Sequence, residues 1–335
     1  MSKQDNTAVT TRVRLARNIR GVPFPGRTSE KQARRVLEMV SQPILETYPN
    51  ARLFTLEDNN RLEARILVED HLISPELYAG KGIRAAVLSE DNYLSVMVGE
   101  EDHIRIQAMT SGMKLSEALA VAFQMDDLLD GKLPLAFDPK LGYLTACPTN
   151  LGTGLRASVM LHLPLLTDNG AIRDIAQTAG KLGLTVRGFY GEGTGASGAL
   201  YQVSNQLTLG MDEQQIISRV EEFSRRLVKQ EKALRRLYQE RQAARMHDRV
   251  FRSWGILQNA RLLSTDEAMN LWSDVRLGVC EEILPPVSIE LLDQLLREMQ
   301  PGHLLRRGGN RPLSPQERDE ARAALVRETL SHAAQ

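Results

Sequence analysis

The sequence predicts an α+β fold: a mixed segment of strands and helices, then a stretch that is helical to its end. Two patterns carry this reading. Residues 85–88 and 93–98, joined by Ser89-Glu90-Asp91-Asn92, read as a β-hairpin among helical stripes. From about Asp212 onward the apolar spacing is helical throughout.

Near the start, Arg12 and Arg14 alternate with Val13 and Leu15. In a strand both guanidiniums fall on one face and could grip a polyphosphate; a solvated edge strand fits the same pattern. Residues 29–48 read as a helix with Ala33, Val36, Leu37 and Val40 on one stripe. Leu62, Ala64, Ile66 and Val68 alternate with charged residues and read as a half-buried strand. It leads to His71, which is either structural or functional. If the backbone is extended from Glu101, then Glu101, His103 and Arg105 share one face while Ile104 and Ile106 pack inward. Such a face suits an active-site wall for phosphate chemistry, or a salt-bridged strand. Residues 115–129 form a helix with Leu115, Leu119, Ala122 and Met125 buried. Asp126, Asp127 and Asp130 lack the spacing and closing Glu of a calcium loop and read as a helix end.

Residues 143–160 are the chemical centre. Cys147 precedes Pro148, a Gly-rich turn and Arg156, which puts a soft nucleophile or thiolate beside a phosphate-binding cation. Residues 172–182 are a helix closed by Gly183. Residues 185–192 form a strand that enters a loop with four glycines, residues 191–198. No helix opens after it and residues 201–209 read as a strand, so the dinucleotide fingerprint fails on context. A hairpin flap carrying one acid, Glu192, fits better. Ile216, Val220, Phe223, Leu227, Leu234 and Tyr238 then mark a long solvated helix. Ser264 with Glu267, Ser288, and Ser314-Pro315-Gln316-Glu317 are helix N-cap signals. Behind the last, Arg318, Arg322 and Leu325 share a stripe, and Asp319 stands within one step of Arg322. This is a partly buried anion site or a surface ion-pair helix.

At 335 residues the chain is long enough for two domains. Lys+Arg and Asp+Glu both number 42, and this zero net charge argues against direct nucleic-acid and anionic-membrane binding. Among the basic residues 33 are Arg and 9 Lys, which favours planar forks for phosphate or carboxylate, or reflects a GC-rich genome. No apolar run reaches the roughly 18 residues of a membrane span. The first ten residues carry no signal-peptide core, and two distant cysteines make no disulfide framework. The expected location is the cytoplasm.

Four runs, taken in order, resemble the phosphagen-kinase superfamily, and most closely the bacterial protein arginine kinases of the McsB type. They are residues 11–18 (TRVRLARN), 100–106 (EEDHIRI), 147–159 (CPTNLGTGLRASV) and 187–192 (RGFYGE). Residues 318–323 (RDEARA) look like that branch's phosphoarginine-sensing motif.

The resemblance implies a phosphagen-kinase-like catalytic domain, a largely antiparallel sheet flanked by helices, over residues 1–235. It implies a helical domain for docking, dimerisation and phosphoarginine sensing over residues 236–335. It implies ATP, with Mg²⁺ carried by the nucleotide and no dedicated protein metal site. The nucleotide would be bound by Thr10, Thr11, Arg12, Val13, Arg14, His71, Arg105, Arg156, Ala157, Ser158, Val159, Met160, Arg187, Gly188, Phe189, Tyr190, Gly191 and Glu192. Glu101 and Glu192 would grip the acceptor guanidinium with Cys147 beside them, and Arg318, Asp319 and Arg322 would sense phosphoarginine. The first motif starts at Thr10, which leaves no room for the N-terminal helical domain of the small-molecule kinases and suits an arginine displayed on a protein. Expected partners are protein substrates with exposed arginines, a zinc-binding activator protein, a heat-shock repressor and a Clp unfoldase-protease, with the chain a homodimer or higher oligomer. A kinase for free arginine and a phosphoarginine-binding adaptor are the alternatives. Gly99 and Ala146 depart from the usual Asn and Ser.

Overall fold

The computed structural model describes residues 6–188 and 196–333. In the first segment the order is β1 (Ala8–Arg17), α1 (Glu30–Thr47), β2 (Arg52–Thr55), α2 (Arg61–Glu69), α3 (Pro75–Ala79), β3 (Ala85–Leu88), β4 (Leu94–Val98), β5 (Ile104–Ser111) and α4 (Leu115–Asp130). A small hairpin follows, β6 (Phe137–Asp138) and β7 (Gly142–Tyr143), then β8 (Leu155–His162), α5 (Pro164–Asp168), α6 (Ile172–Lys181), β9 (Leu184–Gly188) and β10 (Leu200–Asn205). The rest is helical: α7 (Glu213–Asn259), α8 (Thr265–Cys280), α9 (Ile289–Glu298), α10 (Pro301–Arg307) and α11 (Pro315–Ala333).

Eight strands form one sheet in the order β2-β3-β4-β5-β1-β8-β10-β9, and every neighbouring pair is antiparallel. The α+β expectation and the helical second part hold. Period two then divides the sheet. Val13, Leu15, Ile104, Ile106, Ala157 and Val159 turn to one side, where they pack with Val36 and Val40 of α1, Ala118, Ala122 and Met125 of α4, and Ile216, Val220 and Phe223 of α7. Among the described residues, the other side is covered at its margins. α2 and α3 close over its β2–β4 end, with Leu67, Ile73 and Leu77 against Ala86 and Met97. The helical part packs elsewhere on it, with Met160 and Leu200 joining a core built around Trp254, Trp272 and Leu292.

Residues 61–69, expected as a strand, form α2, and that expectation is corrected. Leu62, Ala64, Ile66 and Val68 do alternate, yet the buried set is Ala64, Ile66 and Leu67. Leu, Glu, Ala and Arg are strong helix formers, and Arg65 pairs with Glu69 at i,i+4, 3.1 Å apart. The shared strand face expected for Glu101, His103 and Arg105 is also corrected, because β5 starts at Ile104. His103 turns inward instead: its Nδ1 accepts from the Ile19 amide at 3.1 Å, and its Nε2 donates to the Pro23 carbonyl at 2.8 Å.

The N-cap signals at Ser264, Ser288 and Ser314 all start helices, with each hydroxyl accepting an amide from the first turn. α7 passes residues 235 and 236 without a break and leaves helical geometry at Gln242. Its first half packs on the sheet core and its second half on the helical core.

The end of β1 is fixed by a buried charge pair. Nε and Nη2 of Arg17 donate to the Asp126 carboxylate, the shortest contact being 2.6 Å, and the guanidinium lies 3.4 Å from the Tyr143 ring centroid. Removing one partner strands the other charge in the interior. Asp126→Ala should therefore cost about 3–5 kcal/mol, read as a lowered urea midpoint, whereas the exposed pair partner change Glu30→Ala should cost less than about 1 kcal/mol.

Candidate active site

The strand register brings distant arginines together. Arg14 of β1 stands opposite Arg156 of β8, and Ala16 opposite Arg105 of β5. Arg12 stands opposite Ser158, while Gln202 of β10 stands opposite both Met160 and Arg187 of β9. By alternation Arg12, Arg14, Arg105, Arg156 and Arg187 all belong to the face away from the main core. Thr10, Ser158 and Met160 share it. Thr11, Val13, Ala157 and Val159 turn to the opposite side and are fully buried; the Thr11 hydroxyl donates to the Gly112 carbonyl at 2.7 Å.

Arg12, Arg14 and Arg156 are poorly compensated among the described residues. Burial first, then Arg105 and Arg156, push the Arg12 guanidinium down from 12.5 to about 10. Arg14 falls well below its ordinary value through burial and then Arg12, Arg105 and Arg156, with Glu100 opposing. Arg156 is lowered by burial, then by Arg187 and Arg105. A guanidinium keeps its proton in a protein, so these depressions measure an electrostatic cost that a bound polyanion would remove. The Nε atoms of Arg14 and Arg156 are buried without a hydrogen-bond partner. Unsatisfied donors aimed into a cleft fit a phosphate chain.

Two clefts open on this face. One, of about 2010 Å³, is lined by Thr10, Arg12, His71, Ser158, Met160 and Gln202. The other, of about 1000 Å³, is lined by Arg14, Arg105, Arg156, Glu100, Glu101 and Cys147. In the second, Arg105 pairs with the nearly inaccessible Glu100 at 2.5 Å and reaches Glu101 at 3.8 Å. The Glu101 side chain is 46% exposed and free to meet an acceptor. Burial raises the Glu100 carboxyl, against the pull of Arg105. Cys147 Sγ lies 3.0 Å from the Thr149 hydroxyl. Expectation had missed Glu100, although it adjoins Glu101; only its fold-dependent burial against Arg105 separates the two.

The Cys147 loop and the Glu101 turn share one anchor. Asp102 Oδ1 accepts from the Ala146 amide and from Asn18 Nδ2, both at 2.7 Å. Asn18 also donates to the Leu144 carbonyl at 3.0 Å and accepts from the His103 amide at 2.9 Å. The role of Ala146 is thus carried by its backbone. Gly99 sits at φ +79, the left-handed region that glycine and asparagine tolerate best, so the usual Asn gives way to a residue suited to the same turn.

His71 ends α2 in left-handed backbone, φ 60, a position that usually takes glycine. Its carbonyl accepts from Gln107 Nε2 at 2.6 Å. Burial, and then Arg12, push its imidazole from 6.5 to about 3, so it is neutral near pH 7. Of the remaining expected residues, Phe189, Tyr190, Gly191 and Glu192 lie outside the described residues, and Gly188 ends β9. Arg318 is half-buried. Arg322 is fully buried, its Nε on the Met299 carbonyl at 3.0 Å and its Nη1 on the Leu263 carbonyl and Asp319 at 2.6 and 2.7 Å.

Residues 32–234 match the family described as "ATP:guanido phosphotransferase, C-terminal catalytic domain", and residues 243–335 match the "Protein-arginine kinase McsB C-terminal domain". A protein-arginine kinase of Symbiobacterium thermophilum is 47% identical over 96% of this chain and 93% of its own length. One from Moorella thermoacetica is 45% identical over 98% and 95%. Among solved structures, the duplicated taurocyamine kinase of Schistosoma mansoni with bound transition state analog components aligns with a TM-score of 0.59 at 26% identity. That alignment covers 68% of this chain and 33% of that one. A lombricine kinase aligns at 0.60 with 24% identity over 69% and 68%, a likeness of fold.

His71 gives a test of function against stability. Left-handed backbone costs a non-glycine residue about 1 kcal/mol, so His71→Gly should be about 1 kcal/mol more stable than His71→Ala, with both variants weakening nucleotide binding alike. Its pH dependence has a definite sign. The unfolded imidazole takes a proton near 6.5 and the folded one refuses it until about 3. Stability therefore falls as pH drops through that window, and urea melts of His71→Gly should show a shallower acid-side fall.

Proposed function

Since the chain belongs to the ATP:guanido phosphotransferases, in their protein-arginine kinase branch, we propose that its crowded arginine face is the ATP site and Glu101 the acid that receives the acceptor arginine. The activity of the chain is that of a protein-arginine kinase, an ATP-using phosphotransferase acting on protein substrates. The observation that carries the site assignment is the register: five arginines from β1, β5, β8 and β9 on one face, two with orphaned donors, next to a cleft holding Glu101 and Cys147.

In this reading Arg12, Arg14, Arg105, Arg156 and Arg187 clamp the phosphates and His71 borders the nucleotide cleft. Thr10, Ser158 and Met160 line its floor. Thr11, Val13, Ala157 and Val159 act through the strand backbone that carries the arginines, and residues 188–191 continue the clamp. Mg²⁺, when bound, would be carried by the nucleotide and would neutralise part of its phosphate charge.

The acceptor guanidinium is cationic and a poor nucleophile. Glu101, with Glu192, holds its planar fork and takes one proton as the nitrogen attacks. The N–P bond forms, the bond from the γ-phosphorus to the bridging oxygen breaks, and ADP leaves with the electron pair. Cys147 borders the acceptor in the same cleft as Glu101. Alignment of the two substrates accounts for several kcal/mol of barrier lowering, on the order of 7–11 at its limit.

The division of labour at 235/236 belongs to this proposal, with residues 236–335 serving docking, assembly into a dimer or higher oligomer, and phosphoarginine sensing. Arg318 would meet the phosphate there, and Arg322, held by two carbonyls and Asp319, would brace the helix. A cytoplasmic setting fits, where marked proteins pass to a Clp protease, a heat-shock repressor is inactivated and a zinc-binding protein activates the kinase. The similarity to protein-arginine kinases along nearly the whole chain supports this setting.

The test is transfer to an arginine-rich protein followed by mass spectrometry for acid-labile phosphate on arginine. Glu101→Gln should lower turnover by roughly 10²–10⁴-fold, the range for loss of an acid–base group, with ATP affinity nearly unchanged. Normal turnover in that variant would remove Glu101 from its role. Phosphate on Ser or Thr alone would refute the reading.

A further inference from the structure

The helical domain touches the catalytic domain at a point one residue away from His71. The Glu69 carboxylate, at the end of α2, accepts from the Gly302 amide through both oxygens, at 2.8 and 2.9 Å, and from the His303 amide at 3.3 Å. Pro301 occupies the first helical position of α10, so these are the first two amides that helix has to offer. Arg65 Nε holds Glu69 from its own helix at 3.1 Å. The next residue, Asp70, pairs through Oδ1 with Nε2 of His303 at 2.9 Å.

The contact is built to close tolerance. A Cβ on residue 302 would stand 2.7 Å from a Glu69 carboxylate oxygen and 3.1 Å from its carboxyl carbon. Only glycine admits the carboxylate this closely. The corner before α10 is itself fixed, since Arg322 of α11 holds the Met299 carbonyl.

His71 follows directly, in the left-handed conformation that a non-glycine residue keeps only where its surroundings enforce it. Its carbonyl is held by Gln107 from the sheet, and the two residues before it are held by α10 from the helical domain. The cleft that contains His71 and Arg12 also runs onto α9, where Asp293 and Arg297 line it. Arg297 is close enough to add to the depression of the His71 imidazole, after burial and Arg12.

We propose that Glu69 and Asp70, gripped by Gly302 and His303, are positioning residues for His71, so that docking of the helical domain sets the nucleotide affinity of the catalytic domain. This rests on the reading of the arginine face as the ATP site. By linkage, ATP in turn tightens the docking of α10 on α2.

The experiment is titration of the full chain with a fluorescent ATP analogue (mant-ATP), beside steady-state kinetics with an arginine-rich protein. Gly302→Ala, His303→Ala and His303→Gln are compared, each in the wild-type and in the His71→Ala background. The expected result is about tenfold weaker nucleotide binding for Gly302→Ala and His303→Ala, equivalent to a coupling of about 1.4 kcal/mol. The acceptor KM should be unchanged, and His303→Gln, which keeps a donor for Asp70, should recover most of the affinity. In the His71→Ala background the same changes should cost less than about twofold, because the group they position is gone. Equal losses in both backgrounds, or wild-type affinity in His303→Ala, overturn the latch. Should Gly302→Ala fail to fold, the two His303 variants decide alone. If His71→Ala and Arg12→Ala both bind mant-ATP normally, the ATP-site reading fails and takes the latch with it; a loss there without a loss in the latch variants refutes the latch only.

Discussion

Repulsion among guanidiniums on one sheet face is the constraint around which the molecule is built. Arg105 and Arg156 lower Arg12 and Arg14, Arg12 adds to the lowering of Arg14, and Arg187 and Arg105 lower Arg156, with Glu100 opposing at Arg14. Such a cluster raises the free energy of the folded chain. It survives because the backbone carrying it is locked from below: the opposite face of the same strands is an apolar core, with Val13, Leu15, Ile106 and Val159 fully buried. Period two lets one strand do both jobs, presenting charge upward and anchoring itself downward.

The surrounding parts supply what the arginines cannot. Arg17 and Asn18 fall in the same run as Arg12 and Arg14 yet play the opposite role. Arg17 is neutralised by Asp126, and Asn18 ties Asp102 to the Cys147 loop and to His103. The cleft that holds Glu101 and Cys147 is thereby tied to the end of the strand that carries Arg12 and Arg14. α2 and the helical domain border the cleft that contains Arg12 and His71, and the contact between them lies next to His71. Geometry that a transfer reaction needs to within fractions of an ångström is thus set by backbone segments far apart in the chain.

Local features were legible in the sequence and long-range ones were not. The caps at Ser264, Ser288 and Ser314 depend on a few adjacent residues and were read correctly. So was the alternation that puts Arg12 and Arg14 on one face. Arg105 and Arg156 were each singled out in their own runs as candidates for phosphate chemistry, but that they neighbour Arg12 and Arg14 was not legible, because register across β5, β1 and β8 is a property of the folded sheet. The segment at 61–69 failed for a physical reason. Four alternating apolar residues fit either period, and the burial of Leu67, which breaks the alternation, is decided by packing on Ala86 and Met97. Glu100 and Glu101 are chemically identical in sequence; only burial against Arg105 makes one a brace and leaves the other open. His71 carried no local sign of left-handed backbone, since glycine is the residue that announces it.

The central claim is that the arginine cluster is destabilising alone and relieved by a polyphosphate. The most direct measurement is the stability of Arg14→Met with and without ATP. It should be at least as stable as the wild type in the absence of nucleotide, because a crowded buried charge with an orphaned Nε is replaced by an apolar chain. It should also lose most of the stabilisation that saturating ATP gives the wild type, about 2.7 kcal/mol at a hundredfold excess over Kd. A clear loss of stability without nucleotide, together with an undiminished response to ATP, would contradict the account.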